Sequence, residues 1–303
     1  MEVIATSALT KVYGQKRAVD QLDMTVHEGD IYGYIGRNGS GKSTTLKLLC
    51  GLARPTGGEI RLFGQPVSNE AARRRVGVLV ESAGLYPGLP ARENMLLKAA
   101  CMGLVSPEES VRRLLELVGL DPADKKRAGR FSMGMKQRLG IALALLGGPD
   151  LLLLDEPING LDPEGIQEVR SLLVKLNQEQ GITLVVSSHI LGELAKIATR
   201  YGILKDGRMV QQLSAEELSA RCKDYLHLRV ADPKAAVVAL EQQLGIAKYE
   251  VRPQGEVRVY DKADPARVNA VLAGAGIPVQ ELYLHGQDLE GYFLELMGGE
   301  EHV

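Results

Sequence analysis

The 303-residue sequence has no tryptophan, three phenylalanines and three cysteines. Cys50, Cys101 and Cys222 are far apart and form none of the paired spacings that hold a metal ion. A cysteine-based zinc site is therefore not predicted, and free cysteines of this kind suit a reducing cytosol.

Long hydrophobic runs are also missing. The richest apolar stretches, residues 141–146 and 151–154, are separated by Gly147-Gly148-Pro149-Asp150, and a membrane-spanning helix needs about 20 apolar residues. The first 14 residues lack a basic segment followed by an apolar one, so no signal peptide is expected. The sequence predicts a protein that stays in the cytoplasm and cannot itself form a channel.

The sequence has no large excess of one charge, since it contains 36 basic and 38 acidic residues and has a net charge of −2. The basic runs 73–75 and 125–127 contain no aromatic residues and are more typical of solvated helix ends or loops than of a nucleic-acid surface. No nucleic-acid partner is predicted. An apolar fraction of 45% allows a full α/β core together with a smaller second domain.

In the first two thirds of the chain, strand-like and helix-like segments alternate, which favours a largely parallel sheet covered by helices on both faces. A helical insertion is expected at about 82–148. The strands are predicted at 2–5, 18–26, 30–35, 59–63, 76–80, 151–154, 183–187 and 201–205. The helices are predicted at 41–50, 91–102, 107–118, 133–146, 165–180 and 191–198.

After about Leu218 the pattern changes to the order βαββαβ, with a last helix from Gln287, which is typical of a small ferredoxin-like α+β unit. The sequence therefore divides into an α/β domain at 1–218 and a C-terminal α+β accessory domain at 219–303. The second domain contains no motif that indicates its role.

A phosphate-binding loop is the strongest motif. Residues 36–43 read G-R-N-G-S-G-K-S and lie between a predicted strand and a predicted helix. The glycines let backbone N–H groups point at phosphate oxygens, and the helix N-terminus adds the positive end of its dipole. Lys42 is expected to reach the β- and γ-phosphates and Ser43 to bind Mg²⁺. The alternative is a glycine-rich turn with a solvated lysine. The residues predicted to hold ATP here are Gly36, Asn38, Gly39, Ser40, Gly41, Lys42, Ser43 and Thr44.

Two carboxylates end the apolar strand at 151–154. A strand of four leucines is expected to be buried, and its carboxyl end is where open α/β sheets bind ligands. Asp155 is placed for the Mg²⁺ shell, and Glu156 is placed to polarise or deprotonate the attacking water. The competing interpretation is that both residues cap the turn before Pro157.

Three further motifs carry a resemblance to a known family. Residues 131–138, F-S-M-G-M-K-Q-R, resemble the signature of ATP-binding cassette (ABC) ATPases. Asn159-Gly160-Leu161-Asp162 is similar to that family's dimer-contact loop, and Ser187-Ser188-His189 ends a later strand. The resemblance covers roughly residues 1–215 and implies an ABC ATPase fold.

The family resemblance implies a head-to-tail dimer in which each signature closes the other subunit's ATP site. Ser132 and the amide of Gly134 would then contact the partner's nucleotide. His189 is implied to hold the γ-phosphate and orient Glu156, and Tyr13 is similar to the aromatic residue that stacks on adenine. Without the resemblance, His189 could cap the next helix, and Tyr13 could be an ordinary surface or core aromatic.

Two departures from the family pattern are informative. Met133 and Met135 replace a glycine and a glutamine of the signature, so turnover could be weakened. Glu81 stands where most members carry a glutamine that touches the metal, which resembles cassettes of bacitracin- and lantibiotic-immunity exporters. We expect Glu81 near Mg²⁺; the alternative is a solvated acid at a strand end.

The resemblance implies the ATP-hydrolysing subunit of an ABC transporter, bound to the inner face of the cell membrane through a transmembrane permease. The expected cargo is an antimicrobial peptide or another amphiphile that is exported. Leu85, Tyr86 and Leu89 are candidates for the permease contact, with core packing as the alternative. Two other functions stay open: the cassette of an importer, and a soluble ABC ATPase acting on ribosomes or DNA.

Overall fold

A computed structural model describes residues 1–221, 225–285, 292–293 and 296. Cys222 and most of the helix predicted from Gln287 lie outside the described residues. The chain divides into two compact units, Met1–Ala215 and Glu216–Val303. Each unit has its own hydrophobic core.

The first unit contains ten strands and most of the helices of the described chain. Its strands are β1 (Glu2–Tyr13), β2 (Lys16–His27), β3 (Ile31–Gly36), β4 (Gly57–Leu62), β5 (Gln65–Pro66), β6 (Val76–Leu79), β7 (Leu151–Asp155), β8 (Thr183–Ser188), β9 (Arg200–Lys205) and β10 (Arg208–Ser214). Its helices are α1 (Lys42–Leu49), α2 (Glu70–Arg74), α3 (Ala91–Cys101), α4 (Glu108–Leu117), α5 (Met133–Leu145), α6 (Pro163–Gln180) and α7 (Leu191–Leu194). Helix α8 (Ala215–Arg221) begins at the last residue of this unit and runs into the sequence of the second.

The central sheet has the strand order β10-β9-β3-β8-β7-β6, and all its neighbours are parallel except β9 and β10. The four leucines of β7 have no exposed surface, as expected for a strand with both faces covered. Because the strands are parallel, β3, β6, β7 and β8 all end at the same edge of the sheet. The candidate site residues that were predicted to follow these strands therefore lie at one edge of the sheet.

A second, antiparallel sheet of order β2-β1-β4-β5 was not predicted. The expectation of one largely parallel sheet is therefore wrong for β1, β2, β4 and β5, whereas β3 belongs to the parallel sheet. The reason is local: Gly14, with φ +58°, closes a two-residue hairpin that pairs Tyr13 with Lys16. β1 also continues past residue 5, where its end was predicted. The pairing with β2 shifts register between Thr6 and Leu9 at a bulge in which Ala8 has a left-handed backbone, and the strand resumes beyond it.

Helices α3, α4 and α5 occupy the chain between β6 and β7, where a helical insertion was predicted. Helix α7 ends at Leu194 rather than at 198, because the chain turns at 195–197 before it enters β9. Within the part of the chain that the structure describes, no helix is both long and apolar enough to cross a bilayer.

The second unit consists of β11 (Tyr225–Val230), α9 (Pro233–Leu244), β12 (Tyr249–Val251), β13 (Glu256–Val259), α10 (Pro265–Gly274) and β14 (Val279–His285). The strands form an antiparallel sheet of order β12-β13-β11-β14. Asp232 and Asp264 cap the two helices, and each is followed by proline at the first helical position. The βαββαβ prediction of a ferredoxin-like unit is confirmed.

Candidate active site

The phosphate-binding loop connects β3 to α1 and depends on glycine for steric reasons. Gly41 has φ +111°, and a Cβ there would lie 2.3 Å from the carbonyl oxygen of Ala18. A Cβ at Gly36 would lie 2.4 Å from Ser40 Oγ and 2.6 Å from the carbonyl oxygen of Leu204. Side chains at these two positions would displace the backbone of the loop. The curl that turns amide groups inward is therefore specified by the sequence.

Lys42 lies over this loop with a side chain that is 5% exposed. Its Nζ donates hydrogen bonds to the carbonyl oxygens of Gly36, at 2.7 Å, and Arg37, at 3.3 Å. Ser40 Oγ is buried and has no hydrogen-bond partner among the described residues. A buried ammonium group and an unsatisfied hydroxyl in one backbone cradle fit a phosphate group, which accepts hydrogen bonds from both.

Asp155 and Glu156 are held at the edge of the sheet by the neighbouring strand β8. Ser187 is paired with Asp155 in register and has no exposed surface. Its Oγ donates to Asp155 Oδ1 at 2.6 Å and accepts a hydrogen bond from the backbone N–H of Glu156 at 2.9 Å. Sequence reasoning gave Ser187 no role of its own, although it lies at the end of a buried strand directly before the Ser188-His189 pair.

Glu156 has φ +50°, which is uncommon for a residue with a Cβ. Its Oε1 lies 3.3 Å from Lys42 Nζ, and its Oε2 lies 2.7 Å from His189 Nδ1. The structure thus brings together three residues that are far apart in sequence. Helix α7 begins after Ile190 without a side-chain cap, so His189 contacts a carboxylate instead of capping that helix. A carboxylate in this position can accept a proton from water.

Glu81 follows β6 and also has φ +64°. Its carboxylate forms an ion pair with Lys47 of α1, and this contact raises the pKa of the Lys47 ammonium above its ordinary value. Asp155 also contributes to that shift. Glu81 is 65% exposed but is not simply solvated, since it has a specific cationic partner one helical turn after Ser43.

The oxygen ligands predicted for Mg²⁺ come from separate elements. Among the described residues, no three His, Cys, Asp or Glu side chains form a group that could hold a metal ion. In nucleotide sites Mg²⁺ is held by one or two protein oxygens together with phosphate oxygens and water. Ser43 at the start of α1 and Asp155 at the end of β7 are the fitting donors.

Tyr13, Ser132 and Gly134 have no hydrogen bond to this group within the described part of the chain. Tyr13 ends β1 with half its surface exposed, and Lys11 Nζ lies 4.8 Å from the centre of its ring. Ser132 caps α5 by accepting a hydrogen bond from the N–H of Met135 at 3.2 Å. Met133 is 58% exposed. The aromatic ring and the helix N-terminus are therefore accessible.

A cleft of about 930 Å³ lies between β6 and helices α3 and α5. Tyr86 is 57% exposed and lines this cleft together with Leu97 and Met102. Leu85 and Leu89 are only partly exposed and are not among its lining residues. Of the three candidate contacts for a membrane partner, Tyr86 is thus the one that faces open space in the cleft.

Comparisons with known proteins agree on one family. The model of the ABC transporter family matches residues 19–159. The bacitracin transport ATP-binding protein BcrA of Bacillus licheniformis is 43% identical over 300 residues, which cover 98% of each chain. The daunorubicin/doxorubicin resistance ATP-binding protein DrrA of Streptomyces peucetius is 34% identical over 97% of this chain and 92% of its own.

A further relative and a solved structure match about two thirds of the chain. The lantibiotic transport ATP-binding protein SrtF of Streptococcus pyogenes is 41% identical over 202 residues, covering 67% of this chain and 86% of its own. A dimeric ATP-binding cassette in a post-hydrolysis state, bound to ADP and phosphate, superposes with a TM-score of 0.63 and 29% identity. It covers 70% of this chain and 98% of its own.

Proposed function

Because the chain belongs to the ABC transporter family as an ATP-binding and ATP-hydrolysing subunit, we propose that it powers the export of a bacitracin-like peptide through a separate membrane permease. The observation that carries the catalytic part is the convergence of Lys42, Glu156 and His189 at the end of the phosphate-binding loop. Full-length similarity to bacitracin transport proteins supports the cargo.

The roles of the site residues follow from their positions. Lys42 and the loop amides would bind the β- and γ-phosphates, and Ser43 and Asp155 would hold Mg²⁺. The metal would neutralise charge on the phosphate oxygens. Glu156 would take the proton of the attacking water, and His189, 2.7 Å from its carboxylate, would orient it toward the γ-phosphate. The ion pair of Glu156 with Lys42 must loosen when phosphate oxygens replace it as the partner of the ammonium group.

Closure of the site requires a second copy. Ser132 caps α5 by accepting a hydrogen bond from the N–H of Met135, so its hydroxyl proton and the N–H of Gly134 are available to an anion from outside the chain. We infer that they contact the nucleotide of a partner subunit and that Tyr13 stacks on adenine. The dimeric post-hydrolysis cassette supports this arrangement. Residues 1–218 would form the ATPase domain and residues 219–303 the accessory domain.

The permease would dock at the cleft that Tyr86 lines and would hold the cassette on the inner face of the cell membrane. The bacitracin relatives favour this export function over an importer and over a soluble ATPase acting on ribosomes or DNA. The DrrA relative supports a second cargo class, an amphiphilic drug. Bacterial susceptibility to bacitracin and to daunorubicin, measured with the chain and its permease expressed together, separates the two. The Glu156→Gln variant serves as the inactive control.

The test of the site is light scattering on size-separated Glu156→Gln protein with and without Mg·ATP. Conversion of monomer to dimer by ATP is the expected result, because the variant binds the nucleotide but does not complete turnover. A chain that binds ATP and never pairs would contradict the roles assigned to Ser132 and Gly134. Protection conferred equally by the active and the Glu156→Gln protein would contradict ATP-driven export.

A further inference from the structure

The ion pair between Lys47 and Glu81 connects the phosphate-loop helix to the metal-binding edge of the sheet. Lys47 lies one turn after Ser43 on α1, so the two side chains point to the same side of the helix. Glu81 reaches Lys47 from the end of β6. The Lys47 side chain is 30% exposed, which leaves it accessible to ions but partly screened from bulk water.

The backbone places Glu81 at the same edge as Asp155. Leu79 of β6 pairs with Leu154 of β7. Asp155 comes directly after Leu154 and Glu81 comes two residues after Leu79, so both acids lie at the carboxyl ends of neighbouring parallel strands. The left-handed φ of Glu81, +64°, turns the chain at this point, a conformation that persists for a residue with a Cβ only where surrounding contacts hold it. Lys47 supplies one such contact.

Negative charges are concentrated at this edge of the sheet, so a cation there favours the binding of an anionic ligand. Glu81, Asp155 and Glu156 contribute three carboxylates, and Lys42 is already 3.3 Å from one of them. A bound nucleoside triphosphate adds several more negative charges at the same place. An unpaired Glu81 would repel that ligand, whereas Lys47 offsets its charge.

We propose that Lys47 is a positioning residue that acts through Glu81: it neutralises the carboxylate and holds it beside Ser43, so that ATP can enter before or together with its metal. The inference rests on the proposed nucleotide and Mg²⁺ site. A purely structural surface ion pair would instead brace α1 against β6 and would have no effect that depends on the metal.

The test is the affinity for a fluorescent ATP analogue in the full chain carrying Glu156→Gln, measured in EDTA and in saturating Mg²⁺. Lys47→Ala is expected to weaken metal-free binding about two- to fivefold, the size of an exposed charge pair. The loss in Mg²⁺ should be smaller, because the metal then offsets Glu81. Lys47→Arg should keep the original ratio of the affinity in EDTA to the affinity in Mg²⁺. Lys47→Ala combined with Glu81→Gln should restore that ratio, since position 81 then carries no unpaired carboxylate.

Arg74→Ala is the matched control, because Arg74 forms an exposed ion pair with Glu70 on α2, which precedes β6, whereas Glu81 follows the other end of that strand. The proposal is overturned if Lys47→Ala changes both affinities no more than this control does, or if the effects of Lys47→Ala and Glu81→Gln simply add. Failure of the Glu156→Gln chain without further substitutions to bind the analogue in either condition would contradict the proposed nucleotide site itself, not the pairing of Lys47 with Glu81.

Discussion

Replacement of Ser187 by alanine should damage the active site more than its stability cost suggests. The hydroxyl donates to Asp155 Oδ1 at 2.6 Å and accepts from the N–H of Glu156 at 2.9 Å. The N–H keeps a second acceptor, the backbone carbonyl oxygen of Ser187, at 3.2 Å. The main loss is therefore the hydrogen bond to a carboxylate, which contributes about 2 kcal/mol. For a unit of this size that loss lowers Tm by about 4–8 °C.

Turnover should fall further, by about tenfold, because Asp155 and Glu156 lose the group that fixes both of them to β8. Thermal unfolding followed by circular dichroism gives the first quantity, and steady-state phosphate release at saturating Mg·ATP gives the second. The folded fraction at the assay temperature has to be the same for all variants, so the assay is run well below the lowest Tm.

Thr183→Ala is the control for Ser187→Ala. Thr183 is buried at the opposite end of β8, where its hydroxyl accepts a hydrogen bond from the N–H of Gly29 at 3.1 Å. This neutral bond contributes about 1 kcal/mol, so the variant should lose stability and keep its turnover. Equal kcat values for the two variants would refute the reasoning that Ser187 positions the carboxylates.

Three other variants test separate parts of the molecule. His189→Ala should lower kcat about a hundredfold by removing the partner of Glu156, while the Kd for ATP stays within about twofold. Gly41→Ala should abolish ATP binding in calorimetry, because its Cβ would lie 2.3 Å from a carbonyl oxygen at φ +111°. Two arginines hold the pKa of Asp20 below its ordinary value, so its stabilising effect is present above about pH 4 and is lost as the pH falls through the lower folded pKa. Asp20→Asn should therefore be less stable than the unaltered chain in urea at pH 6, and the difference should shrink as the pH falls below about 4 and through the lowered pKa of the Asp20 carboxyl.

The catalytic motifs were predictable because their chemistry is local. Residues 36–43 contain the spacing of the loop and its glycines, and the structure shows that glycine is sterically required at Gly36 and Gly41. The run of leucines before Asp155 indicated burial, and all four are buried. Each pattern lies within neighbouring residues, whereas the carbonyl oxygens that exclude a Cβ at Gly41 and Gly36, those of Ala18 and Leu204, come from distant parts of the chain.

Contacts between strand ends were beyond the reach of the sequence. Ser187 meets Asp155 across 32 positions, and Lys47 meets Glu81 across 34. Neither pair follows from spacing, because each depends on which strands are neighbours in the sheet. The antiparallel sheet was missed for a similar reason: the first strand was predicted to end at residue 5, whereas a bulge at Ala8 carries it on to Tyr13.

The register of the C-terminal sheet has an evolutionary consequence. Tyr225, which begins β11, is paired directly with His285, which ends β14, and their rings are stacked with centroids 4.6 Å apart. The chain thus arrives at and departs from this sheet at a single point. A segment with adjoining ends can be grafted into a gene, or deleted from one, without rerouting the rest of the polypeptide.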